Sequence, residues 1–196
     1  MASRNGPGPL SALLRGVVGL FTRGAPPTRP APPRRSVPAP RPTGRPAASD
    51  PQDTPGRGGA TATREVAPPA RGGLRITYTP QRDGAPDAGE VVWTWVPYEE
   101  NDGRGKDRPV LVIGTDGADR VYAVRLTSKS HDGDRDYLSI GPGPWDAQGR
   151  PSWVDIEQLY SVHVRGMRRE AATLDRRRFA AVAAALQQRY GWASEL

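Results

Sequence analysis

Residues 90–114 read EVVWTWVPYEENDGRGKDRPVLVIG, two apolar runs separated by a polar loop. The first run, 90–96, is β-branched and aromatic, which suits a pleated, half-buried surface. Pro97 cannot donate to a ladder and ends it. The second run, 108–114, is compact and apolar from Val110 onward, as a buried strand requires. Working outward, Asp116 and Gly117 mark a turn into a third strand at 121–127, VYAVRLT. A charged loop, SKSHDGDRD, leads to a short strand at 137–140. Residues 141–151 are turn-rich, and 153–164, WVDIEQLYSVHV, supply one or two further strands. A helix closes the chain: Asp175 can cap it, Phe179, Val182, Ala183, Leu186 and Tyr190 share one face, and Gly191 suits the position just past its end. Short strands, frequent turns and one late helix predict a mostly β chain, built as a small antiparallel barrel.

The first third of the chain has another composition. Fifteen of the 22 prolines lie in residues 1–74, and 24–73 hold almost no large apolar side chains. Such a segment cannot offset its ordering entropy by burial. The expected organisation is a short amphipathic helix within 1–23, a disordered linker over 24–74 and a folded domain over 75–196. On that division a chain starting near Gly72 keeps its full stability. In the helix, Leu10, Leu13, Leu14, Val17, Val18 and Phe21 form a stripe, so residues 9–22 suit docking on a membrane surface or a partner as well as a transient helix. Arg23, Arg29, Arg34 and Arg35 follow without a small-residue cleavage site, which argues against export and for a cytoplasmic protein.

Charge divides at the same boundary. Residues 1–74 carry eleven Arg against three acids, a net +8, while 75–196 carry 17 basic and 18 acidic residues, a net −1. The pI of 10.3 is therefore a property of the tail, and any nucleic-acid site in the domain has to be a local cluster. With no cysteine the chain has no disulfide, no thiol nucleophile and no thiolate metal site. Two histidines are too few for a histidine metal cage, and no cofactor or metal is expected.

Four motifs in order, Gly89-Glu-Val-Val-Trp, Arg108-Pro109-Val-Leu-Val, Leu126-Thr127-Ser128 and Asp155-Ile-Glu-Gln158, followed by the helix, resemble the PemK/MazF family of toxin endoribonucleases over about residues 88–192. The resemblance implies an SH3-like barrel of the CcdB/PemK/MazF type, usually a homodimer, opposed by a small acidic antitoxin. It implies cleavage of single-stranded RNA without a metal, by attack of the ribose 2′-hydroxyl on the adjacent phosphate. Its catalytic arginine falls on Arg108 and its catalytic threonine on Thr127.

Those residue types suit that chemistry. Negative charge builds on the phosphate oxygens during attack, and a guanidinium offers two parallel donors matched to them. It cannot readily give up a proton, so it acts electrostatically and not as a base. Strand alternation puts Arg125 and Thr127 on one face. Arg104, Lys106, Arg125, Ser128, Lys129 and Gln158 are the candidate substrate contacts. Plainer readings stand beside these. Arg108 could pair with Asp107 or Glu157 as surface charge, and Trp93 and Trp95 read as packing more than as base-stacking platforms. His131 reads as a solvated loop residue and His163 as a strand residue. A non-catalytic RNA- or peptide-binding barrel, and a gyrase poison of the same fold, are the alternative functions.

Overall fold

The computed structural model of the protein describes residues 54–81, 86–100 and 102–196. The helix expected at 9–22 and the linker up to residue 53 lie outside them. The elements are β1 (Arg64–Val66), β2 (Arg75–Thr77), β3 (Glu90–Pro97), β4 (Gly105–Thr115), β5 (Arg120–Thr127), β6 (Tyr137–Gly141), β7 (Ser152–His163), β8 (Met167–Thr173), α1 (Arg176–Tyr190) and β9 (Ala193–Glu195). Seven strands form one antiparallel sheet in the order β1-β7-β5-β4-β3-β8, with β6 also paired to β7; β2 and β9 make a separate parallel pair. The fold is mostly β, an open, curled half-barrel sheet with one C-terminal helix.

Both faces of this sheet are buried, which explains why the strands read as unbroken apolar runs. Alternation sends neighbouring residues to opposite faces. Val91, Leu111, Ile113, Val124, Leu126 and Leu159 enter a core shared with Phe179, Val182, Ala183 and Leu186 of α1. Their neighbours Val92, Val110, Val112, Ala123, Tyr160 and Val162 form a second core on the other face. The helix is capped as expected. Asp175 Oδ1 accepts from Arg178 N at 3.0 Å, and Gly191, at φ 71°, donates its N–H to Gln187 O. Among the described residues no helix is long and apolar enough to cross a membrane.

The linker boundary at residue 74 does not hold. β1 pairs with β7, Arg64 facing Ser161 and Val66 facing Leu159, and Leu74 is buried in the core beneath α1. Residues 54–63 bond to β3 and β5. Pro55 O accepts from Trp95 N of β3 at 3.1 Å. The Thr63 and Thr94 hydroxyls meet at 2.7 Å, and Thr94 Oγ1 in turn donates to Gly166 O. Gly56 sits at φ 82°, and a Cβ there would lie 2.2 Å from Thr94 Oγ1, so only glycine fits. Arg120 of β5 donates to Ala62 O and to Ser161 O, at 2.7 and 2.8 Å. Backbone pairing and buried hydroxyls, rather than large apolar side chains, order this stretch, so its composition gave no sign of it.

Candidate functional site

β4 and β5 run antiparallel with Val110 facing Arg125. Arg108 and Thr127 each lie two residues beyond that pair on their own strand, so alternation sends both to one face. Both line a cleft of about 340 Å³, together with Lys106 and Ser128. Among the described residues the Arg108 guanidinium has no ion pair, and its Nε is buried without a partner. Neither acid that could have neutralised it does so. Asp107 turns to Arg168, and Glu157 lies 3.7 Å from Arg189. Thr127 Oγ1 accepts from Lys129 N at 3.2 Å, which leaves its own hydrogen available to a ligand.

On its other side Arg108 borders a second cleft, of about 390 Å³, lined also by Tyr98, Glu99, Glu100, Arg104 and Arg125. Arg104 is bound to Asp102 at 2.6 Å. Arg125 is buried and clamped. Its Nη2 donates to Asp155 Oδ2 at 2.6 Å and lies 3.1 Å from the Tyr137 hydroxyl, with Glu99 3.9 Å away. Burial pulls the Arg125 pKa down, but Tyr160, Asp155 and Tyr137 outweigh it, so the net direction is upward and the charge is retained.

The motif Asp155-Ile-Glu-Gln158 makes this clamp. Opposite Arg125 the register of β7 jumps, so that Val124 faces Leu159 and Leu126 faces Val154. Asp155 stabilises the excursion, its Oδ1 accepting from the backbone N–H groups of Glu157 and Gln158 at 2.9 and 3.2 Å. Gln158 Oε1 accepts from the Tyr160 hydroxyl at 2.8 Å. Arg125 and Gln158 thus have protein partners of their own, unlike Arg108. Asp155→Asn should lower stability by about 3 kcal/mol, because it leaves the Arg125 charge buried and poorly paired. Replacing Arg125 by Met and Asp155 by Leu together should recover part of that loss in denaturant melts.

Of the other expected contacts, Lys106 and Ser128 join Arg108 and Thr127 in the first cleft, Arg104 lies at the second, and Lys129 is exposed and lines neither. Trp93 lines the first cleft, while Trp95 packs beneath the Arg57 guanidinium, 4.8 Å from its ring centroid. His131 is not simply solvated. It stacks on Tyr137, with ring centroids 3.5 Å apart. His163 ends β7, and its Nδ1 accepts from Arg165 N. Sequence reasoning missed the far wall of the first cleft, residues 144–152, where Trp145 Nε1 donates to Ser152 Oγ at 3.0 Å and Arg150 Nε to Asp146 Oδ2 at 2.8 Å. A tryptophan set among glycines and prolines was its one signal.

The family model described as PemK-like, MazF-like toxin of type II toxin–antitoxin system matches residues 87–190. Among solved structures, MazF of Deinococcus radiodurans is 22% identical, with a TM-score of 0.43 over 55% of this chain and 97% of its own. The MazE–MazF complex of the same organism gives 21% identity, a TM-score of 0.43, and 55% and 96% coverage. An endoribonuclease in complex with its cognate antitoxin, from a mycobacterial species, gives 17%, 0.43, 55% and 96%. No curated protein matches the chain.

Proposed function

The chain belongs to the PemK-like, MazF-like toxin family of type II toxin–antitoxin systems, and we propose from that membership that it is an endoribonuclease that cuts single-stranded RNA without a metal. The observation that carries this reading is the unpaired Arg108 guanidinium, which lines one open cleft together with Thr127. A folded protein gains nothing from leaving a half-buried cation unneutralised, whereas a site for phosphate requires one. In the reaction the ribose O2′ bonds to the adjacent phosphorus and the P–O5′ bond breaks. The 2′ proton is lost and O5′ gains one, leaving a 2′,3′-cyclic phosphate and a 5′-hydroxyl. Arg108 supplies paired donors to the phosphate oxygens as their charge grows. Thr127 donates to a phosphate oxygen or orients the attacking hydroxyl. Lys106 and Ser128 steer the strand from the same cleft. A small acidic antitoxin, as family membership implies, holds the activity off, and the working form is a homodimer.

The test is the purified protein on single-stranded RNA with and without EDTA. Cleavage should survive the chelator and leave a 3′-terminal phosphate that phosphatase removes only after acid opens the ring. Cleavage that needs added Mg²⁺ sinks the mechanism.

The basic N-terminal residues act on affinity in this scheme. Residues 1–53 hold eight Arg against two Asp. A chain beginning at Thr54 should bind RNA more weakly, and the slope of log affinity against log salt should fall by as much as about 4, since fewer counterions are released. Equal slopes for the two chains would assign residues 1–53 to something other than RNA.

A further inference from the structure

Four buried side-chain polar atoms among the described residues lack a hydrogen-bond partner: Trp93 Nε1, Asp107 Oδ1, Arg108 Nε and Arg125 Nε. Three of them belong to residues of β3 and β4 that line the first cleft. Orphaned polar groups are rare in folded proteins, and each is costly until something bonds it. Two of the three, on Trp93 and Asp107, lie on one side of the sheet, and an orphaned donor beside an orphaned acceptor is what a ligand-completed site would leave behind. We infer that the cleft selects an RNA base bearing an exocyclic amino group, with Asp107 as the acceptor that reads it. The inference rests on the reading of the cleft as an RNA site and adds the class of base it takes.

The register defines the arrangement. Trp93 faces Pro109 and Trp95 faces Asp107 across β3 and β4, so Trp93 and Asp107 are diagonal neighbours on one side of the sheet. Asp107 and Arg108 project to opposite faces of β4 by alternation, yet both line the first cleft at the end of the strand. Arg168 of β8 binds Asp107 Oδ2 and fixes the carboxylate, leaving Oδ1 as the unused acceptor. The other carboxylate lining the cleft, Asp146, is spent, because Oδ1 takes Gln148 N and Oδ2 takes Arg150 Nε, both at 2.8 Å. A free carboxylate oxygen accepts the amino hydrogens of cytosine, adenine or guanine. Against uracil it meets the carbonyl oxygens that flank the single ring N–H, and is repelled. Trp93 Nε1 is a donor suited to the ring nitrogen or carbonyl beside an amino group.

Cytosine and uracil stack alike and differ at that edge, so they isolate the effect. The probes are 2′-fluoro oligocytidine and oligouridine, which lack the attacking hydroxyl and cannot be cut, binding to the full chain. Oligocytidine should bind about tenfold more tightly, the scale of one hydrogen bond to a charged group. Asp107→Asn should bring the two affinities together, since an amide can present either its oxygen or its nitrogen. Arg168→Gln breaks the same ion pair but keeps the acceptor, and should preserve the preference. Equal binding of both probes by the unaltered protein overturns the inference while leaving the RNA site standing. So does a preference untouched by Asp107→Asn, or one lost equally with Arg168→Gln, which would mean that the ion pair shapes the cleft and Asp107 reads no base. Failure to bind either probe overturns the RNA reading as well.

Discussion

Arg108→Ala should leave a folded protein whose RNA cleavage is slower by on the order of 10²-fold or more, the usual cost of losing one preorganised donor to a developing charge. The fold should be unmoved, because Arg108 makes no ion pair among the described residues and its Nε is unbonded. Removing a group without partners costs a surface-type change within about 0.5 kcal/mol, in either direction. Few substitutions separate activity from stability so cleanly, and that separation is the measurement: initial cleavage rates beside thermal melts. Arg108→Lys keeps the charge but not the two parallel donors, so it should restore only part of the rate. A variant that cleaves normally would remove Arg108 from the mechanism. A variant that melts far below the parent would mean that the guanidinium has a structural task after all.

The parts of the fold and site that could be read in advance share one physical property. β3, β4, β5 and α1 state themselves in side chains, since burial on both faces of the sheet favours runs of apolar residues and the helix needs its stripe and its caps. Arg108 and Thr127 were proposed through their motifs, and both line the first cleft. Arg125 looked like a phosphate contact because alternation placed it beside Thr127. Its partner Asp155 is 30 residues away across a register jump in β7, and no local pattern predicts such a pairing. β8, MRREAAT, hid because an edge strand tolerates charges: Arg169 binds Glu90 and Arg168 binds Asp107. β1 hid for a different reason. Its three residues, Arg-Glu-Val, earn their place through the β7 ladder, and it lies outside the span matched by the family model.

That concealed segment carries the other large expected effect. Compared with a chain beginning at Thr54, one beginning at Gly72 should lose on the order of 4 kcal/mol, or roughly 15 °C in Tm. Four losses combine. β7 gives up the three ladder pairs to β1 and becomes an exposed sheet edge. Trp192, buried beneath α1, donates Nε1 to Pro69 O at 3.0 Å and would be left with a buried, unbonded donor. β3 loses two partners, because Pro55 O no longer receives Trp95 N and the Thr63–Thr94 bond is gone. Arg120 also loses Ala62 O and keeps only its bonds to Ser161. Composition alone predicts no change at all for the same truncation, so the two expectations differ by the whole effect. A substitution within the intact chain checks the cause. Gly56→Ala forces a Cβ to within 2.2 Å of Thr94 Oγ1 at a φ of 82°, and should reproduce a good part of the loss without removing a residue. If both altered chains melt with the parent, residues 54–71 lie on the sheet without holding it together.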